Sequence, residues 1–267
     1  MTEPSSLRKI GLARALSKLG YCSRSRAAEL IREGRVRLNT VVRRDPETAV
    51  HLPKDQIEVD RAAISQRDKV YLMLNKPRGV VTTASDEKNR KTVYDCLGGE
   101  HSWIAPVGRL DKASEGLLLF SNDSEWAAQL LVPETHLEKI YHVQVGALVG
   151  EELAAAMCKG VRIGEGETLT ARAVRTLRRG KRNTWLEIIL DEGRNRHIRR
   201  MLEHFELEVL RLLRVAIGPL SLGQLSKGAF RVLTRDEKLA LDRAIQGSAG
   251  RAETTFSSPH PRGKGRQ

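Results

Sequence analysis

The sequence predicts an α+β protein: a small α+β module over residues 1–66, a larger domain over residues 67–246 in which a mixed, mainly antiparallel sheet is flanked by helices, and a disordered basic tail over residues 247–267. Three observations carry this expectation. Near the N-terminus apolar residues recur at helical spacing, and the residues after them alternate like strands. Further on, residues 140–145 alternate with period two, and residues 168–177 and 184–190 read as a hairpin joined by a polar turn. From residue 70 to 245 helices and strands do not alternate regularly, as a doubly wound parallel sheet would require.

Residues 1–6 read as a loose tail. Leu12, Ala15, Leu16 and Leu19 then share one helix face, and Gly20 stops that helix; Ser23 caps a second one carrying Ala27, Ala28, Leu30 and Ile31 as far as Gly34. Val36 and Leu38 alternate with Arg35 and Arg37, Asn39-Thr40 turns the chain into Val41-Val42, and residues 57–59 supply another short strand. Polar residues 62–69 form a linker. Residues 71–74 make a short buried strand, followed by the basic turn Asn75-Lys76-Pro77-Arg78-Gly79 and Val80-Val81-Thr82-Thr83. Residues 84–91 form a loop, and Val93, Tyr94, Cys96 and Leu97 suggest a short helix. A strand is expected at 117–120, helices at 126–131, 151–157 and 195–205, a turn at Gly164-Glu165-Gly166, and a strand at 209–215. Thr234 and Glu237 form a capping box that starts a last helix ending near residue 245. The remainder, rich in Gly, Ser, Pro and Arg, reads as disordered.

Charge narrows the partner. With 46 basic against 33 acidic residues the chain carries a net charge of +13, and each Lys or Arg that neutralises a phosphate releases a condensed counterion. From residue 7 to 44 eleven basic residues face two acidic ones, so much of the excess lies in the first module. A nucleic acid is the leading partner and an anionic membrane the second. Apolar runs are far shorter than the roughly 20 residues a bilayer demands, and the N-terminus lacks the layout of a secretory leader, so a soluble cytoplasmic protein, expected to be a monomer, is predicted. Cys22, Cys96 and Cys158 are isolated and lack Cys-x-x-Cys spacing, which supports neither a disulfide framework nor a zinc site.

Several catalytic schemes fail on residue type and spacing. There is no phosphate-cradling Gly-x-x-x-x-Gly-Lys-Ser/Thr loop, no His-Glu-x-x-His helix and no glycine-rich dinucleotide or methyl-donor loop after an early strand. Neither a cofactor nor a metal is expected. What remains is Asp111, in Pro106-Val107-Gly108-Arg109-Leu110-Asp111, together with Tyr141 and the arginines of 194–200. Arg109-Leu110-Asp111 alone fits a salt-bridged bend as well as a site on a loop held by a rigid strand. On a helix Arg196, Arg199 and Arg200 share one face while Ile198, Met201, Leu202 and Phe205 turn inward, so those cations need anions, either the neighbouring glutamates or RNA phosphates plus one carboxylate. The loop Arg178-Arg179-Gly180-Lys181-Arg182-Asn183 fits both a phosphate contact and a solvated turn.

Two resemblances add to these readings. Two helices followed by Gly34-Arg35-Val36-Arg37-Leu38-Asn39 resemble the small RNA-binding domain first known from the ribosomal small-subunit protein S-four, with Thr40 where that family usually has glycine. RNA contacts are then expected at Arg14, Arg24, Arg26, Arg35 and Arg37. Gly-Arg-Leu-Asp with the following Ser-x-Gly-Leu-Leu-Leu-x-x-Asn-Asp, then Glu-Lys-x-Tyr-x-Val, then Glu-Gly-Arg-Asn-Arg-x-Ile-Arg-Arg-Met resemble the ribosomal-RNA pseudouridine synthases of the Rsu/Rlu family. That resemblance runs from Asn75-Lys76-Pro77 to Leu233-Thr234 and implies isomerisation of uridine to its carbon-linked isomer in ribosomal RNA or a ribosome-assembly particle. It implies Asp111 as the essential aspartate, Tyr141 as the aromatic that stacks on the base, and Arg199 as the arginine paired with the aspartate. Arg109 would brace the position that the flipped base vacates, and Lys76, Lys139, Arg194 and Arg196 would contact phosphate or base. His197 stands where glutamine is usual, and Leu212 fits either a pocket wall or an ordinary core position. The stretch from Val80 to Val93 looks more like the large-subunit members. The competing readings are a non-catalytic RNA-binding assembly factor and an RNA methyltransferase, the latter disfavoured by the missing methyl-donor loop.

Overall fold

The computed structural model describes residues 9–52, 54–84, 86–98, 103–164 and 166–253. Its strands, in chain order, are β1 (Ile10–Gly11), β2 (Val36–Leu38), β3 (Val41–Arg43), β4 (Ala49–Val50), β5 (Ile57–Val59), β6 (Ala62–Ala63), β7 (Tyr71–Lys76), β8 (Ala105–Val107), β9 (Glu115–Ser121), β10 (Lys139–Val145), β11 (Val161–Ile163), β12 (Glu167–Leu169), β13 (Ala173–Arg179), β14 (Thr184–Leu190), β15 (Val209–Ile217), β16 (Leu220–Ser221) and β17 (Phe230–Val232). The α-helices are α1 (Leu12–Lys18), α2 (Arg24–Arg32), α3 (Ser124–Leu131), α4 (Glu151–Lys159), α5 (His197–His204) and α6 (Arg235–Glu253). This is the expected α+β protein with mainly antiparallel strand pairs. The chain divides into two compact units.

The first unit takes the described residues of Met1–Lys112, Leu118–Ala128 and Leu225–Leu233. Its N-terminal module buries the faces that the spacing foretold: Leu12, Ala15, Leu16, Ala27, Leu30 and Ile31 pack on Val36, Leu38, Ile57 and Val59 of the sheet β3-β2-β5-β6. Ser23 caps α2, its hydroxyl accepting from the Arg26 amide at 3.1 Å. The same unit holds β7, flanked by β17 and the later part of β9, with β8 on the far side of β9. Leu72, Leu74, Val93, Leu118 and Phe120 form that core. The polar linker is tied down: the fully buried Asn122 accepts from the Val70 amide (2.9 Å) and donates to the Asp68 carbonyl (2.8 Å), while Lys69 Nζ donates to the Lys18 carbonyl (3.1 Å).

The second unit takes Ala113–Leu117, Gln129–Gln224 and the described residues from Thr234 onward. Its sheet runs β13-β14-β10-β15, antiparallel throughout, and β15 then pairs in parallel with the start of β9 through Leu213 with Glu115 and Arg214 with Gly116. Gly116 is required there: φ is +102°, and a Cβ would collide with the Arg214 carbonyl oxygen and the Leu213 side chain. One sheet face, with Val143, Val145, Leu186 and Ile188, packs on Met157 of α4 and on Ile198, Met201 and Leu202 of α5.

Two sequence expectations are corrected. Residues 168–177 are not one strand: β12 pairs with β11 in its own two-stranded sheet, and β13 starts again at Ala173. The chain leaves the first sheet because the Ala171 amide donates to the Met157 carbonyl (3.0 Å), and joins the second where the Arg172 amide donates to the Ile189 carbonyl (2.9 Å). The last helix does not stop near residue 245 but continues to Glu253, since once a helix is under way each added residue brings its own main-chain hydrogen bond. Of the tail expected to be disordered over 247–267, residues 247–253 are instead the end of α6, and residues 254–267, with the expected tail at 1–6 and Glu165 of the expected turn, lie outside the described residues.

Candidate active site

Asp111 lies on the connection between β8 and β9, half-buried, and its loop is held through the main chain. Lys76 at the end of β7 has no solvent exposure, and its ammonium donates to the carbonyls of Pro77 (3.2 Å) and Asp111 (3.1 Å). Thr82 Oγ1 donates to the Leu110 carbonyl at 2.8 Å, and the Gly79 amide to the Lys112 carbonyl at 2.7 Å. Three successive carbonyls are thus bound by the segment 76–82. Lys76, expected among the phosphate or base contacts, has no exposed surface, and its ammonium donates to chain carbonyls of this loop. Arg109 is exposed, next to this fixed loop.

The second unit carries the other candidates. Tyr141 sits on β10, half-buried beside the core, in register with Ile188 of β14 and Arg214 of β15. Arg199 on α5 is half-buried, and its Nη2 donates to the Ala113 carbonyl at 3.1 Å. The neighbours of Arg199 are arranged as the helical spacing implied, with Ile198, Met201 and Leu202 buried. Arg200 pairs with Glu167, and Arg194 bonds Glu192 (2.8 Å) and Glu167 (3.4 Å), so acid residues of the chain take up these two cations. The hydrogen bond from Arg200, and after it that from Arg194, outweighs desolvation and holds the Glu167 carboxyl below its ordinary range. Arg196, expected on the helix face of Arg199 and Arg200, instead precedes α5 as its N-cap residue, exposed and in the left-handed conformation, φ +49°, so only Arg199 and Arg200 are helical. Lys139 starts β10, and burial first, then the nearby Arg214 charge, lowers its ammonium despite Asp191. Leu212 is a core residue.

Sequence reasoning passed over Arg214. It is buried on β15, with Nε donating to the Leu117 carbonyl at 2.8 Å, and so braces the start of β9 beside Gly116. The available signal was a lone arginine in the apolar run Leu212-Leu213-Arg214-Val215-Ala216-Ile217. His197 is buried as well, and desolvation lowers its imidazole below the usual value. In the N-terminal module Arg35 is held by Asp60 (2.8 and 2.6 Å) and Arg26 by Glu29 (2.9 Å), whereas Arg14, Arg24 and Arg37 have no carboxylate partner among the described residues. Among the described residues no His, Cys, Asp or Glu cluster could hold a metal, and no helix is long and apolar enough to cross a membrane.

The family model for RNA pseudouridylate synthase matches residues 70–204, and that for the S4 domain matches residues 10–57. These matches define an RNA-modifying enzyme that carries an RNA-binding module. The chain is 37% identical over 227 residues to ribosomal large subunit pseudouridine synthase B of Bacillus subtilis (strain 168), covering 85% of this chain and 93% of that one. It is 36% identical to an uncharacterized RNA pseudouridine synthase of Aquifex aeolicus (strain VF5), covering 89% and 95%. A pseudouridylate synthase crystal structure superposes with a TM-score of 0.61 at 27% identity, covering 87% of this chain and 99% of that one. The chain belongs to the RNA pseudouridine synthase family, in its Rsu/Rlu branch.

Proposed function

We propose that this protein converts uridine to pseudouridine at a specific site in large-subunit ribosomal RNA, with Asp111 as the catalytic carboxylate, Tyr141 stacking on the base and Arg199 as the guanidinium partner of the carboxylate. The observation that carries the reading is the Asp111 loop, whose carbonyls at 110, 111 and 112 are each bound by the 76–82 segment. Such fixing suits a group that must meet a sugar within a few tenths of an ångström, where orientation lowers the barrier. The reaction breaks the bond from the sugar to the ring nitrogen, turns the base and joins the sugar to a ring carbon, whose proton is lost while the ring nitrogen gains one. Attack on the anomeric carbon and removal of a neighbouring sugar proton both need an ionised carboxylate, which an adjacent guanidinium favours. Support for the arginine comes from its bond to the Ala113 carbonyl, two residues along the chain from Asp111. Arg109, exposed beside the loop, would occupy the stack left by the flipped base. The name of the Bacillus subtilis relative supports the large subunit. The same reading has the enzyme working in the cytoplasm as a monomer.

Asp111→Asn should lower pseudouridine formation by at least about four orders of magnitude, the scale seen when a group that acts as a unit with its neighbours is removed. RNA affinity should change less than about threefold. Turnover retained in this variant, read by mapping pseudouridine on a large-subunit transcript, would exclude Asp111; binding without product in the unaltered protein would favour the assembly-factor reading.

A further inference from the structure

We propose that the second unit has an RNA-binding surface of its own, on the sheet face away from Tyr141 and on the β13–β14 hairpin, which takes the phosphate backbone of the substrate RNA. The proposal rests on the chain's reading as an RNA enzyme and adds a second point of attachment.

The register divides the two faces. Tyr141, Val143 and Val145 point to the side where α4 and α5 pack, so Ile140, His142 and Gln144 point to the other. On that other side Arg178 pairs with Trp185, Trp185 with Gln144 and Gln144 with Arg211, a continuous row across four strands. The Trp185 ring lies 5.3 Å from the Arg178 guanidinium and 5.6 Å from that of Arg211, within the distance at which an aromatic ring holds a cation. The next row is Arg175, Glu187 and His142. There Glu187 is taken up: Arg175 bonds it at 2.7 Å and His142 at 3.2 Å, and although burial raises its carboxyl, those two partners bring the net shift below the ordinary value. The only acid on these two rows is therefore neutralised.

Arg178, Arg179, Lys181 and Arg182 stand in a different state. All four are exposed, and none has a carboxylate within 4.0 Å among the described residues. Arg26, Arg35, Arg194 and Arg200, in contrast, are matched by acids of the chain. Four unmatched cations on one hairpin, one of them set against the Trp185 ring in a row that ends on Arg211, itself paired with Glu115 at 3.1 Å, form a site for closely spaced anions. In an RNA enzyme those anions are phosphates. The competing account is that the charges only keep an edge strand from pairing with another chain.

The test compares two variants that both lower the net charge from +13 to +9. One replaces Arg178, Arg179, Lys181 and Arg182 by Gln. The other replaces Lys159, Arg162, Arg235 and Arg243, which are also exposed, by Gln. The probe is an unmodified large-subunit ribosomal RNA transcript, with binding measured across a salt series. The hairpin variant should bind at least about tenfold more weakly near physiological salt, and its slope of log affinity against log salt should fall by roughly 3, as the loss of about four phosphate contacts requires. The control variant should lose less than about one. A double variant, Arg178→Gln with Lys181→Gln, should lose about half as much slope as the hairpin variant and guards against misfolding of the larger change. Equal slopes in hairpin and control variants, or aggregation of the hairpin variant with an unaltered slope, would overturn the proposal. Absence of pseudouridine in transcript treated with the unaltered protein would instead refute the functional reading and leave the slopes interpretable.

Discussion

A lysine is rarely buried without a role for its charge, and Lys76 has no exposed surface at all. Its hydrogen bonds to Pro77 and Asp111 fix the chain at the proposed catalytic residue. Lys76→Met keeps the side chain's length but leaves two carbonyls without this donor, at a cost of about 1–3 kcal/mol each, offset in part because a buried charge is also removed. Net destabilisation of about 1–3 kcal/mol in urea unfolding is expected, with a fall of at least about tenfold in kcat. Unchanged turnover with a lowered unfolding midpoint would show that the brace is purely structural. The basic turn was legible from Pro77-Arg78-Gly79, although β7 runs on through Asn75 and Lys76, which were expected to lie in it. The inward direction of Lys76 was not legible, because a lysine's burial depends on Asp111 and Pro77 being folded around it. Arg214 was hidden for the same reason: the carbonyl it serves is Leu117, remote in sequence.

Helix α5 shows what an element contributes. Its inward face was readable from the spacing of Ile198, Met201 and Leu202. His197, which opens the helix, is buried with Nδ1 3.5 Å from Glu192, and desolvation holds its imidazole below the ordinary value despite that carboxylate. Above about pH 7 the ring is neutral both folded and unfolded and contributes no pH dependence. As pH falls through about 6.5 the unfolded chain takes up a proton that the folded chain resists, so stability is lost progressively down to the folded value. The loss is at most about 1.4 kcal/mol per pH unit. His197→Gln should flatten urea stability between pH 7.5 and 5.5 relative to the unaltered protein; parallel profiles would show that His197 takes its proton as readily folded as unfolded. The β12–β13 break was less legible than the helix. Residues 168–177 carry strand-like composition throughout, and only the bonds to Met157 and Ile189 decide which part joins which sheet.

At the scale of the molecule, charge was plain from composition, but its availability was not. Of the five arginines expected to meet RNA in the N-terminal module, Arg26 and Arg35 are matched by acids while Arg14, Arg24 and Arg37 have no carboxylate partner among the described residues. Replacing Arg14 and Arg24 together by Gln should reduce the salt slope of RNA binding by about 1–2 with kcat at saturating RNA unchanged, and Arg35→Gln should change the slope less. A larger effect from Arg35 would reverse that ranking. The domain order, most helix faces and the residues proposed for the site follow from local spacing and from motifs that survive in one dimension. Burial, pairing of charges and the two faces of the second sheet are set by contacts between residues tens of positions apart, so folding alone assigns Lys76 to a loop, Glu187 to its partners and Arg178 to solvent.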